Sequence, residues 1–105
     1  MIVTLNSQCG TGATSQIIGN ASRHRITVTT GPDAINGNLM TVSFDGQGGF
    51  NTDNVSVMIT QVSGYKLGKV WAEAAESTGY ELHCEYCPAG NNTFIVDCWT
   101  SEIPT

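Results

Sequence analysis

The sequence predicts an all-β protein on three observations: charge is sparse, β-branched residues fall in short runs, and turn residues close each run. Only 12% of the 105 residues are charged, while 40% are hydrophobic. Helical surfaces are usually covered by Glu, Lys and Arg, whose straight side chains lose little freedom in a helix, so their scarcity argues against a helix bundle. The length fits one core and leaves no room for another. Residues 1–105 are therefore read as a single domain, with 1–14 an N-terminal strand or arm and 15–105 the core.

The runs follow one another down the chain. Ile2 to Asn6 is short and apolar, and Ser15 to Gly19 carries the pair Ile17-Ile18 and stops on glycine. Arg25 to Thr30 ends at Gly31-Pro32-Asp33, and Leu39 to Phe44 lies between Asn36-Gly37-Asn38 and Asp45-Gly46. Gly48-Gly49 precedes the run from Val55 to Val62. In that run Val55, Val57 and Ile59 share one face with Gln61, while Met58 and Val62 lie on the other with Ser56 and Thr60. Both faces are partly apolar, which predicts a central strand. Lys69 to Ala75 reads as a strand, although KVWAEAAES also holds good helix formers and allows a short helix.

Gly79 to Tyr86 and Thr93 to Thr100 complete about eight strands, the count of a sandwich or barrel. Tyr80, Leu82, Cys84 and Tyr86 alternate with Glu81, His83 and Glu85, and Phe94, Val96 and Cys98 alternate with Ile95, Asp97 and Trp99. With Ala89-Gly90-Asn91 between them, these two runs are expected to pair as a hairpin that brings Cys84 and Cys98 together on the inward face.

Four basic residues against nine acidic ones leave a formal charge of −5, so the cationic surface that a phosphate backbone requires is missing, and nucleic acid is not an expected partner. No segment approaches the ~18 apolar residues of a membrane span, and MIVTLNSQCG has neither a basic start nor an apolar run, so no membrane and no secretion signal are expected. Without a secretion context, the glycosylation-like triplets at Asn20, Asn54 and Asn91 carry no weight.

Candidate chemistry is thin. Gly10-Thr11-Gly12 after the first run lacks the third glycine, the helix and the later acidic residue of a dinucleotide site. Cys84, Cys87, Cys98 and Cys9, with His83, contain enough soft ligands for one zinc, yet the CxxC pair runs along a strand and has no partner motif. A redox CxxC would begin a helix, and Pro88-Ala89-Gly90 does not. Thiols, disulfides and a metal site all remain open for these cysteines.

Asp45, Gln47, Asn51 and Asp53 crowd oxygen ligands into a glycine-rich loop but lack the order of a calcium loop, and Asp and Asn are ordinary loop residues. His24, between Arg23 and Arg25, reads as a solvated residue at a strand edge. No nucleophile elbow, HExxH or acid pair is present, so no enzyme activity is expected. No catalytic, cofactor-binding or metal-binding residue is assigned, and no cofactor is implied.

Ile26-Thr27-Val28-Thr29-Thr30-Gly31, Met40-Thr41-Val42-Ser43-Phe44 and Val55-Ser56-Val57-Met58-Ile59-Thr60 follow one another in order. Ser77-Thr78-Gly79-Tyr80-Glu81-Leu82 and Asn92-Thr93-Phe94-Ile95-Val96-Asp97 come after them. In that order the stretch from Ser15 to Thr100 resembles a β domain recurrent among tailed-bacteriophage virion proteins, found at tail-fibre tips and as small stand-alone proteins on the particle. The chain departs from the pattern at Gln61-Val62-Ser63-Gly64, where the family often has a proline, and at the cysteine-bearing tip from Cys84 to Asn92.

The resemblance implies a jelly-roll-like β-sandwich, a homotrimer, on the surface of a virion made in the host bacterial cytoplasm. Two roles follow from it. One is a capsid decoration, or cement, protein that binds and stabilises the major capsid protein lattice. The other is a tail-fibre head or other tail component that binds a host surface polysaccharide. A chain opening on Met without an upstream shaft or coiled coil makes cement the expected role.

Overall fold

A computed structural model describes residues 1–34, 37–45, 50–86 and 91–103. Each of the eight runs is a strand: β1 (Ile2–Leu5), β2 (Thr14–Gly19), β3 (Arg23–Thr29), β4 (Gly37–Ser43), β5 (Val55–Gly64), β6 (Val70–Glu76), β7 (Gly79–Cys84) and β8 (Thr93–Glu102). The segment that also allowed a helix is strand β6. Two four-stranded antiparallel sheets, ordered β1-β4-β7-β6 and β2-β3-β8-β5, make an all-β sandwich. Among the described strands, only β2–β3 and β6–β7 are sequence neighbours within a sheet, and each other consecutive pair is divided between the two sheets.

Alternation explains the core. In β3 the side chains of His24, Ile26 and Val28 turn inward, and in β8 those of Phe94, Val96 and Cys98 do the same. Met40, Val42, Tyr80, Leu82 and Cys84 meet them from the opposite sheet. Each large apolar side chain withdrawn from water stabilises the fold by about 1.5–3 kcal/mol. Leu39 and Met40 are neighbours in sequence yet both are buried, because the pairing of β4 with β7 shifts register between Asn38 and Met40. The Leu39 carbonyl accepts from the Asn6 backbone N–H and the Cys9 thiol, both at 2.9 Å, tying the turn Ser7–Cys9 to the bulge.

Two expectations are corrected. Strands β7 and β8 do not form a hairpin: Tyr80 pairs with Val42 of β4 and Leu82 with Ala72 of β6, while Val96 pairs with Ile26 of β3 and Gln61 of β5. Leu82, Cys84, Val96 and Cys98 are all buried, as alternation required, but from facing layers. Alternation determines which face of a strand is buried and leaves its neighbour open.

Strand β5 is not central; it is an edge strand. Its apolar residues divide between an inner face at the rim of the core and an outer face where Met58 and Val62 are 68% and 47% exposed. The expected turn residues Asn36, Gly46, Gly48, Gly49, Ala89 and Gly90 lie outside the described residues.

Candidate functional site

The outer face of the β2-β3-β8-β5 sheet combines exposed apolar side chains with arginine. Because His24, Ile26 and Val28 point inward, Arg23 and Arg25 stand outward, and on β8 Asp97 and Trp99 do likewise. Register places Ile18 beside Arg25 and Arg25 beside Asp97, with Arg23 beside Trp99 and Trp99 beside Met58 in the adjacent row.

Arg25 donates to Asp97 twice, Nε to Oδ1 at 2.6 Å and Nη2 to Oδ2 at 3.0 Å. These bonds hold the Asp97 carboxyl below its ordinary value and raise the guanidinium's. Arg23 carries its guanidinium 4.8 Å from the centroid of the Trp99 ring, in cation–π range. A shallow hollow lined by Ile18, Gly19, Arg23, Arg25 and Asp97 lies between them, floored by His24. Exposed Ile18, Met58 and Trp99, at 58%, 68% and 38%, surround this polar centre.

His24 itself overturns the expectation of a solvated edge residue, being only 2% exposed. The strand begins at Arg23, two residues before the position expected, and alternation then sends His24 inward between two outward arginines. Its Nδ1 lies 3.1 Å from the Asn20 carbonyl and its Nε2 lies 2.6 Å from the Tyr80 hydroxyl on the facing sheet. A carbonyl only accepts, so Nδ1 carries the proton and Nε2 accepts from Tyr80 O–H. The Cys98 thiol is a neighbour of the same hydroxyl.

Burial lowers His24 from its ordinary 6.5, raises the Tyr80 phenol, and pushes the Cys98 thiol up to about 11. All three groups are therefore uncharged at neutral pH. The chain Tyr80–His24–Asn20 is a hydrogen-bonded bolt between layers, and the protonated Cys98 thiol beside it is a poor nucleophile.

The outer face of the other sheet carries a second cluster. Trp71 of β6 and His83 of β7 are register partners whose rings stack with centroids 5.8 Å apart. The Trp71 Nε1 donates to Glu73 Oε2 at 2.9 Å. His83 Nδ1 lies 3.2 Å from Glu73 Oε2 and its Nε2 lies 3.2 Å from Glu81 Oε1.

His83 thus faces outward while its neighbour Cys84 is buried in the core, so the two do not converge on one ion. Cys9 and Cys98 are also buried, and Cys87 lies outside the described residues. Among the described residues no group of three His, Cys, Asp or Glu side chains is placed to hold a metal. Of the loop oxygen ligands considered for calcium, Asp53 accepts from the Ser77 N–H at 2.9 Å and Gln47 lies outside the described residues.

Neither outer cluster was found from the sequence. The Arg23–Trp99 and Arg25–Asp97 contacts join strands far apart in the chain, where periodicity carries no information about partners. Trp71–His83 had a usable signal in the Ser77-Thr78-Gly79 turn joining β6 to β7. No protein-family model matches the chain, and neither does any curated protein or solved structure.

Proposed function

We propose that this chain is a structural protein of a bacteriophage particle, a capsid decoration (cement) protein that grips the major capsid lattice through the outer face of its β2-β3-β8-β5 sheet. The observation that carries the reading is the composition of that face: Arg23 over Trp99, the forked Arg25–Asp97 pair, and exposed Ile18 and Met58 beside them. Trp and Arg dominate the energetic centres of protein interfaces, because each buries a large flat surface while keeping a directed polar contact. The order of the strand motifs, which resembles phage virion domains, supports the same reading.

A protein that binds only the assembled lattice adds its binding free energy to that state and raises the barrier to opening it. Particles lacking the protein should assemble at normal size, lose DNA at lower temperature or on low-salt shock, and regain resistance when purified protein is added. Adsorption to host cells should be unchanged. Deletion particles that keep full heat resistance yet fail to adsorb would reject the assignment.

The Trp71 cluster favours a second reading, a tail-fibre head that binds a surface polysaccharide. An exposed indole supplies a stacking plate for a sugar ring, and Glu73 and Glu81 supply acceptors for its hydroxyls. On that reading Trp71→Ala abolishes adsorption and leaves particle stability untouched.

A further inference from the structure

We infer that the free edge of β5 pairs with the β5 edge of a second copy of this chain, antiparallel about a twofold axis at Met58, fusing two four-stranded sheets into one. A sheet edge presents unpaired N–H and C=O groups, and proteins guard such edges with charge, proline, bulges or shortness. Three of the four edges here are guarded or short. Strand β1 has 4 residues and β2 has 6. Strand β6 carries Glu73 and Glu76, shifts register between them, and holds Ala74 in a left-handed conformation at φ 52.

Strand β5 has 10 residues and neither a charge nor a proline among them. Beyond its ladder to β8, the backbone from Val55 to Thr60 makes no hydrogen bond with another described residue.

The occupant follows from the strand's own order. Its regular stretch runs from Val55 to Gln61, where the register shifts. Past that point the Gln61 side chain is tied to its own loop, donating to the Ser63 and Tyr65 carbonyls and accepting from the Leu67 N–H. The midpoint of the regular stretch is Met58. An antiparallel self-pair centred there sets Met58 against Met58, Val57 against Ile59, and Ser56 against Thr60.

Thioether meets thioether, aliphatic meets aliphatic at the rim of the core, and hydroxyl meets hydroxyl, with no like charges opposed. The strand is therefore complementary to itself. Pairing leaves the Arg23–Trp99 face open and places two copies of it side by side on a continuous sheet. A twofold pair also differs from the trimer that the family resemblance implies.

The test uses the full chain. Light scattering at micromolar concentration should give twice the 11.1 kDa chain mass. Met58→Lys, at a side chain 68% exposed, should return the mass to one chain with an unchanged circular dichroism spectrum. Under mild oxidation Met58→Cys should link two chains covalently, Ser56→Cys alone should not, and Ser56→Cys with Thr60→Cys should, while the unsubstituted chain gives the background. A monomeric or threefold mass overturns the proposal, as does a pair that survives Met58→Lys or that crosslinks through Ser56→Cys and not Met58→Cys.

Discussion

Replacing Tyr80 by Phe removes one oxygen from the middle of the molecule and nothing else. The ring, 2% exposed, keeps its packing against Phe44 and His24, with centroids 6.0 and 5.8 Å away. What disappears is the donor to His24 Nε2 at 2.6 Å. A buried nitrogen left without a partner costs about 1–3 kcal/mol, less than the ~3–5 kcal/mol of deleting a whole aromatic side chain. For a domain of this size each kcal/mol moves the melting temperature by about 4–8 °C.

Urea denaturation of Tyr80→Phe should therefore show a lower midpoint at an unchanged slope. The same bolt makes stability depend on pH. Burial holds His24 below its ordinary 6.5, so between that value and the lower folded one the unfolded chain binds more protons. Stability is full above pH 6.5 and falls as the medium is acidified below it. His24→Gln should remove that slope. A Tyr80→Phe protein within about 0.5 kcal/mol of the parent, or a parent whose stability rises as pH drops below 6.5, would refute the bolt.

A second acid step should follow at lower pH. Asp33 and Asp53 are lowered from 3.8 by hydrogen bonds to Thr11 and Ser77, and Asp97 by Arg25, so their contribution is present above that value and lost as pH falls below it; Asp53→Asn should shrink this step. Gly79→Ala should destabilise by ~1–3 kcal/mol or more, since a Cβ there would lie 2.0 Å from the Val42 carbonyl oxygen at φ +155, and denaturant titration checks it. Gly12→Ala, at φ +78 with nothing within 4 Å, should cost only the ~1–2 kcal/mol of the left-handed backbone. Cys98, raised to about 11 and buried, should resist alkylation at pH 8 until the protein unfolds; labelling at the rate of an exposed thiol would contradict its placement.

The strands were legible because two-residue alternation and glycine turns are local signals, and the side chains that alternation sends inward, from Ile26 and Val28 to Phe94 and Val96, form the core. Pairing was not legible. Tyr80 to Cys84 and Phe94 to Cys98 look like one hairpin because their patterns match, yet a sandwich core needs matching patterns from facing layers as much as from neighbouring strands.

Met58 and Val62 made β5 look buried on both sides, when they stand outward at an edge. His24 was misplaced because the strand was expected to start two residues late, at Arg25, which left His24 outside the alternation that turns it inward. Of the outer face, Arg23, Arg25, Asp97 and Trp99 were visible as residues and invisible as a group, since only the β3–β8 register brings them together.

Co-sedimentation of purified protein with shells that lack it tests most directly the proposal that the Arg23–Trp99 face binds the capsid lattice. The parent should saturate the shells. Trp99→Ala and Arg23→Glu, folded by circular dichroism, should bind on the order of tenfold more weakly or worse, the effect of losing about 1.4 kcal/mol or more at an interface centre. Trp71→Ala, on the opposite sheet, should bind like the parent. Shells that take up Trp99→Ala as well as the parent, or that lose binding through Trp71→Ala instead, would contradict the account.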